Sequence, residues 1–178
     1  MFFKSLETER LILKNIDAGD ADFIIKQFSD DEVNRFLFDA EPITTDEQAM
    51  ELIDFYLAPE PRNQHRWILT LKDGGERIGT CGFHCWNRES GVCEIGYDLY
   101  PPYQKKGYMS EALKAALSFA EGEMKIKEIH AHIAEGNTAS FKIAEKFGFA
   151  DSGQTYMEIF RGKEYPHSIL IYKAPKNN

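Results

Sequence analysis

The sequence is poor in several things that define large classes of protein. No apolar run reaches the ~20 residues that span a bilayer as a helix, so no membrane partner is expected. The opening Met1-Phe2-Phe3-Lys4-Ser5-Leu6-Glu7 lacks the basic start, apolar stretch and cleavage site of a secretory signal, and a cytoplasmic protein is the expectation. Positive charge is short: 21 Lys and Arg stand against 29 Asp and Glu, a net charge of -8 that disfavours a nucleic-acid binder. Cysteine is scarce as well. Cys81, Cys85 and Cys93 come with His84, but all lie in strand-like segments, where four residues span about 13 Å. Cys81 and Cys85 therefore cannot share one tetrahedral ion, and His84 points to the opposite face. No metal is expected, and the cysteines read as reduced, half-buried strand residues. Repeats, low-complexity stretches and linkers are missing too, so residues 1–178 read as a single domain.

The charge that is present is unevenly placed. Residues 1–60 hold 15 acidic and 5 basic side chains, and the remainder 14 and 16. Solvated helix faces explain an acidic front third, and so does a surface that attracts a cationic acceptor.

Hydrophobic periodicity gives the order of elements. Arg10–Leu13 reads as a first strand. Asp17 or Asp20 can cap a helix whose apolar face is Ala21, Ile24, Ile25 and Phe28. Thr45-Asp46-Glu47-Gln48 has capping-box spacing and opens a second helix, stopped by Pro59 and Pro61. Strands follow over Trp67–Leu71, Arg77–Trp86 and Val92–Tyr100, joined by turns at Asp73-Gly74-Gly75 and Glu89-Ser90-Gly91. The period then lengthens to 3.6: Met109, Ala112, Leu113, Ala116, Leu117 and Ala120 form a stripe over 107–122. Glu128–Ala134 is a strand, Thr138–Lys146 a helix, and strands near 153–160 and 166–173 close the chain. This is an α/β (α+β) pattern, a mixed sheet of about seven strands with helices on both faces.

The most informative stretch is Tyr103-Gln104-Lys105-Lys106-Gly107-Tyr108-Met109-Ser110-Glu111-Ala112. It joins a strand to a strongly patterned helix, whose first-turn N–H groups and dipole suit an anion. Gly107 lets backbone approach a ligand closely, Lys105 and Lys106 supply charge, and Ser110 adds a hydroxyl. The loop is neither a Walker sequence nor the three-glycine dinucleotide fingerprint. A cofactor bearing a pyrophosphate remains, set against a merely capped helix with a solvated Lys pair.

These residues resemble a known family. Gln104–Met109 is similar to the Gln/Arg-x-x-Gly-x-Gly/Ala loop of GNAT acetyltransferases, which grips the coenzyme A pyrophosphate; Met109 departs from its usual Gly or Ala. Glu94-Ile95-Gly96-Tyr97-Asp98-Leu99 resembles the strand before that loop. Asn137-Thr138-Ala139-Ser140 with Glu145–Phe149 resembles a second cofactor-contacting segment. Leu6–Leu13 looks like the opening of the RimJ/RimL-type branch, whose named members acetylate ribosomal-protein N-termini. The resemblance implies a mostly antiparallel, twisted GNAT-like sheet and an enzyme moving acetyl from acetyl-CoA to a primary amine by direct attack. It implies cofactor contacts at Leu99 and Tyr100 through backbone N–H groups, at Gln104, Lys105, Lys106, Gly107, Tyr108, Met109 and Ser110, and at Asn137, Ser140 and Phe147. Ala144 occupies the position where many members carry a tyrosine acid, which leaves Ser140 or water to protonate the leaving thiolate.

Glu94 is the candidate base. It shares a strand face with Gly96, which leaves room for a substrate, and with Asp98; a solvated carboxylate is the competing reading. Asn137 and Ser140 also fit a helix N-cap, and Phe147 and Phe149 also fit the core. For the acceptor, a small molecule or a protein N-terminus, the resemblance points to the early helices and final hairpin. Asp39, Glu41, Trp86 and Tyr165 are the candidate lining. Arg62, His65 and Arg66 read as a solvated basic cluster. His130 and His132 read as core or surface residues, and His167 as an acid–base candidate. A non-catalytic acyl-CoA sensor is the alternative function. The final hairpin offers an edge that can pair between two copies, a homodimer.

Overall fold

The structure, a computed structural model, describes residues 2–175. Eight strands form one sheet in the order β1-β2-β3-β4-β5-β6-β8-β7. They are β1 (Leu6–Glu7), β2 (Leu11–Asn15), β3 (His65–Leu71), β4 (Arg77–Asn87), β5 (Val92–Leu99), β6 (Glu128–Ala134), β7 (Ala150–Phe160) and β8 (Lys163–Lys173). The helices are α1 (Ala21–Phe28), α2 (Asp31–Asn34), α3 (Asp46–Leu57), α4 (Tyr108–Phe119) and α5 (Thr138–Lys146). No helix among the described residues is long and apolar enough to cross a membrane.

Local chemistry sets the boundaries. The Thr45 side chain accepts from the Gln48 N–H, and the Gln48 side chain reaches back to the cap, so α3 starts where the capping box places it. Asp17 caps a short 3-10 turn rather than α1, and Asp20 is buried between Lys14 and Arg77. The eighth strand is β1, whose two residues pair with Leu13 and Ile12; a segment that short gives no periodic signal.

The core lies in two layers, one on each face of the sheet, because alternate residues of each strand face opposite ways. Trp67, Leu69, Cys81, Phe83, Cys93 and Ile95 pack with α4 and α5 on one face. Ile68 packs with α1 and α3 on the other. Cys81 and Cys93 are fully buried, more than the expected half, and burial pushes both thiols up to about 12. Cys85 is exposed instead, because the β4–β5 register shifts between His84 and Asn87 and Cys85 takes φ 50° there. The same shift turns Trp86 into the core against Phe2 and Phe3.

Every strand pairing is antiparallel except β5 with β6. That parallel pairing covers only Val92–Glu94 against Glu128–His130, whereas β5 stays paired with β4 as far as Leu99. The two strands therefore part in the middle of the sheet.

Candidate active site

The parting leaves one edge of β5 open. The Tyr100 N–H donates to the Ile78 carbonyl on the β4 side, so by the alternation of the ladder the polar backbone groups of Tyr97 and Leu99 face the gap. Of the expected pair, then, the Leu99 N–H is directed at the gap and the Tyr100 N–H is spent inside the sheet. The Leu99 carbonyl accepts from Gln104 Nε2 at 3.1 Å, so in this structure the Gln104 side chain closes the strand edge.

Beyond it the chain makes a 3-10 turn (Pro101–Tyr103) and enters α4 through Lys105 and Gly107, at φ 60° and 84°. Gly107 is the α4 N-cap and supplies no side-chain hydrogen bond. The first N–H groups of α4 therefore open onto the loop uncapped, a place for an anion. Lys105 and Lys106 are exposed. Met109 is 7% exposed and packs in the core, so its side chain does not crowd the loop. Tyr108 is half-buried beneath the Arg10 guanidinium, whose carbon lies 4.4 Å from the ring centre. Ser110 Oγ accepts from Lys146 Nζ at 3.1 Å, which brings a cation of α5 to the same helix end.

Asn137 caps α5, its Oδ1 accepting from the Ser140 N–H at 3.2 Å. The Ser140 carbonyl accepts from the Tyr97 hydroxyl at 3.3 Å, a contact across the gap that residue spacing did not reveal. Burial pushes the Tyr97 phenol up, so it stays protonated. Phe147 packs, half-buried, against the core that contains Phe149 and Ala144.

Glu94 is half-buried in β5, with His84 of β4 and His130 of β6 opposite it in register. Burial, reinforced by the nearby Glu94 carboxylate, raises the Cys85 thiol. The space above Gly96 is filled by His84, whose Nε2 lies 3.2 Å from where a Cβ would stand; the glycine makes room for that ring. His84 Nδ1 sits 3.3 Å from the Tyr56 hydroxyl. Burial, reinforced by Arg66, lowers His84 to about 3, so the imidazole beside Glu94 is neutral.

The Arg62, His65 and Arg66 cluster is buried rather than solvated. Arg62 is 8% and His65 1% exposed. Arg66 donates to Thr80 Oγ1 at 2.9 Å and lies 3.5 Å from Asp98 Oδ2. Asp98 also accepts from Gln27 at 2.6 Å and Thr80 at 2.7 Å. Burial lifts its carboxyl above the ordinary range against the pull of Arg66, Thr80 and Gln27.

On the Glu94 face an aromatic wall continues across β6, β8 and β7. The His132 ring lies 5.4 Å from Tyr156, and Tyr156 stacks on His167 at 5.1 Å. Phe38, from the segment between α2 and α3, stacks on Tyr165 at 3.7 Å. Glu41, in the same segment, forms an ion pair with Arg161 at the hairpin tip. Burial lowers the exposed His132, opposed by Glu94. Burial raises Tyr156, helped by Glu158, Asp39 and Glu94. The structure thus brings Asp39, Tyr165, His132 and His167 to the side of Glu94. Trp86 lies elsewhere, in the opposite core layer. His167 Nδ1 donates to the Tyr165 carbonyl at 2.9 Å, which fixes the ring beside Tyr156.

The acetyltransferase (GNAT) domain family matches residues 10–150. An N-acetyltransferase of Bacillus subtilis, YoaA, itself uncharacterized, is 34% identical over 175 residues, 98% of each chain. A GNAT-family acetyltransferase from Bacillus anthracis superposes with a TM-score of 0.81 at 22% identity, covering 96% of this chain and 98% of that one. A spermidine N-acetyltransferase from Vibrio cholerae, solved with CoA and spermine, superposes with a TM-score of 0.80 at 19% identity, covering 92% and 95%. With a family match over most of its length and a full-length relative above 30% identity, the chain belongs to the GNAT acetyltransferase family and is an acyltransferase.

Proposed function

We propose that the protein is an acetyl-CoA-dependent N-acetyltransferase of the RimJ/RimL-type branch. Its acceptor is a primary amine: a protein N-terminus, a polyamine or another small amine. The observation that carries the proposal is the coincidence of two features at one end of β5: the open edge at Tyr97 and Leu99, and the uncapped N-terminus of α4. The residues fit the donor. The N–H groups of Tyr97 and Leu99 suit the amide carbonyls of a pantetheine arm, and Gly107 to Ser110 suit a pyrophosphate. The acetyl thioester is the chemistry acetyl-CoA supplies when bound.

The remaining roles belong to the chain. Glu94, on the face opposite α4, takes the proton of the incoming ammonium directly or through water, so that the amine attacks in its neutral form. Neutral His84, opposite Glu94 in register, adds no competing positive charge beside the carboxylate. Ser140 or water returns a proton to the leaving sulfur, and the buried Tyr97 phenol fixes the Ser140 backbone across the gap. The acceptor lies beside the joined Phe38–Glu41 segment and β7–β8 hairpin, where Asp39 and Glu94 favour a cation. The spermidine N-acetyltransferase with the same fold, holding CoA and spermine, supports a cationic acceptor.

Release of free coenzyme A from acetyl-CoA, measured across polyamines, small amines and N-terminal peptides, tests the proposal. Amine-dependent release that falls at least about 100-fold in Glu94→Gln is the expected result, the usual scale for a lost general base. Tight acetyl-CoA binding with no release on any amine refutes it, and full activity in Glu94→Gln removes the base.

A further inference from the structure

The opening strands carry a motif, Thr8-Glu9-Arg10, that the acetyl-transfer reading leaves without a role. It forms the tight turn between β1 and β2, in which the Leu11 N–H donates to Thr8 Oγ1 at 2.9 Å. The turn converges on Glu111, in the first turn of α4. Glu111 Oε1 accepts from Thr8 Oγ1 at 2.5 Å and from the Arg10 N–H at 2.7 Å; Oε2 accepts from Arg10 Nε at 2.7 Å. Arg10 then continues past Glu111 into the loop. Its Nη1 donates to the Lys106 carbonyl at 3.1 Å, and its guanidinium lies over the Tyr108 ring.

We infer that Arg10 is a positioning residue for the donor's pyrophosphate, acting through Glu111 and the Lys106–Gly107 peptide; the inference rests on the reading of Gln104 to Ser110 as the cofactor loop. Two physical effects combine. A carboxylate in the first turn of a helix stabilises the helix, but the same negative charge repels a phosphate bound at that helix end. Arg10 cancels it through the charged Nε–H contact to Oε2, while its backbone N–H holds Oε1. Burial alone would raise the Glu111 carboxyl, yet Thr8 and Arg10 hold it below the usual range, so the charge is present and needs cancelling. The second effect is directional. In a trans peptide the carbonyl and the following N–H point opposite ways. Drawing the Lys106 carbonyl towards Arg10 therefore turns the Gly107 N–H away from the β1–β2 turn. A side chain at 107 would also stand 3.4 Å from Arg10 Nη2.

The test uses the full chain and two donors, acetyl-CoA and S-acetylpantetheine, which has no pyrophosphate. Arg10→Ala is expected to weaken acetyl-CoA binding and raise its KM about tenfold, with kcat at saturation and the affinity for S-acetylpantetheine unchanged. Arg10→Lys keeps the charge but loses the fork, and falls between the two. Glu111→Gln placed in the Arg10→Ala background restores part of the acetyl-CoA affinity by removing the uncancelled charge. An Arg10→Ala protein that binds acetyl-CoA like wild type, or that loses both donors equally, overturns the inference. Should Arg10→Ala not fold, Arg10→Lys carries the same comparison between donors. Wild-type protein that binds neither donor overturns the cofactor-loop reading itself, a result distinguishable from the first two.

Discussion

Acidification from pH 7 to pH 5 should cost this fold far more stability than its carboxylates alone would suggest. His65 and His84 are buried neutral, each lowered to about 3 by burial and then by a neighbouring cation, Arg62 for His65 and Arg66 for His84. Hydrogen bonding fixes the neutral form of His65. Arg62 Nη2 donates to its Nδ1 at 3.0 Å, and its Nε2 then donates to Asn15 Oδ1 at 3.1 Å, while Phe3 stacks on the ring. A group whose folded pKa is depressed below its unfolded value stabilises the fold above the unfolded pKa, near 6.5, and loses that contribution as pH falls towards the folded one. At pH 5 each ring has moved roughly 1.5 units into that window, which at about 1.4 kcal/mol per unit is about 2 kcal/mol each and about 4 kcal/mol together. Urea unfolding at the two pH values measures the difference, and His84→Gln should remove about half of it. Histidine ring resonances followed by NMR give the direct reading: two should stay neutral down to pH 5. Equal stability at pH 7 and pH 5, or the His65 and His84 rings themselves titrating near 6.5, would refute the reasoning.

Three further outcomes follow from contacts within the sheet. Asp98→Asn keeps the shape but leaves the Arg66 charge buried without its counterion, and thermal unfolding should show a loss of about 3 kcal/mol. Gly82→Ala puts a Cβ 2.2 Å from the His65 carbonyl of the neighbouring strand, a backbone clash that should cost about 3 kcal/mol or more and appear as insoluble or unfolded protein on expression. Gly96→Ala meets only the His84 ring, with Nε2 nearest at 3.2 Å, so the ring should yield; stability should fall by about 1 kcal/mol, while the pH–rate profile shifts because the neutral neighbour of Glu94 has moved.

What could be read from residue order alone was whatever repeats with a local period. The α4 stripe, the Thr45 capping box and the alternation of β5 each depend on neighbours a few residues away, and each lies where its pattern places it. The β1 strand escaped because two residues have no period. The fate of Arg62, His65 and Arg66 escaped for a different reason. Three basic side chains in five residues resemble a solvated face, and only pairing over long separations, Arg66 with Asp98 and His65 with Asn15, lets them be buried. Gly96 misled in the same way. A missing side chain marks a space but does not say that a ring from the adjacent strand fills it. The Gln104–Ser110 loop, the proposed donor end, was legible as a helix entry because helix-terminus chemistry is local. Its supports were not: Arg10 and Glu111 are 101 residues apart. The proposed acceptor side draws on Phe38, Glu94, His132, Tyr156 and Tyr165, from five separate segments, and no short motif encodes such a convergence.

The parting of β5 from β6 connects these observations. An interior strand normally satisfies both edges through the ladder, and an open edge inside a sheet leaves backbone donors and acceptors that must find partners elsewhere. Here the acceptor at Leu99 is met by the Gln104 side chain, and the Tyr97 phenol ties the strand to the Ser140 carbonyl of α5. Both ties come from residues at or beside the gap, so the opening is held by its own rim. The N–H groups at Tyr97 and Leu99 then point where a ligand's carbonyls can complete the ladder. In the proposed reaction, an amine approaching from the Glu94 face would meet a thioester laid along that edge. A sheet paired along all of β5 would keep the same core and close this edge, so the proposed acetyl transfer rests on the three-residue length of the β5–β6 pairing.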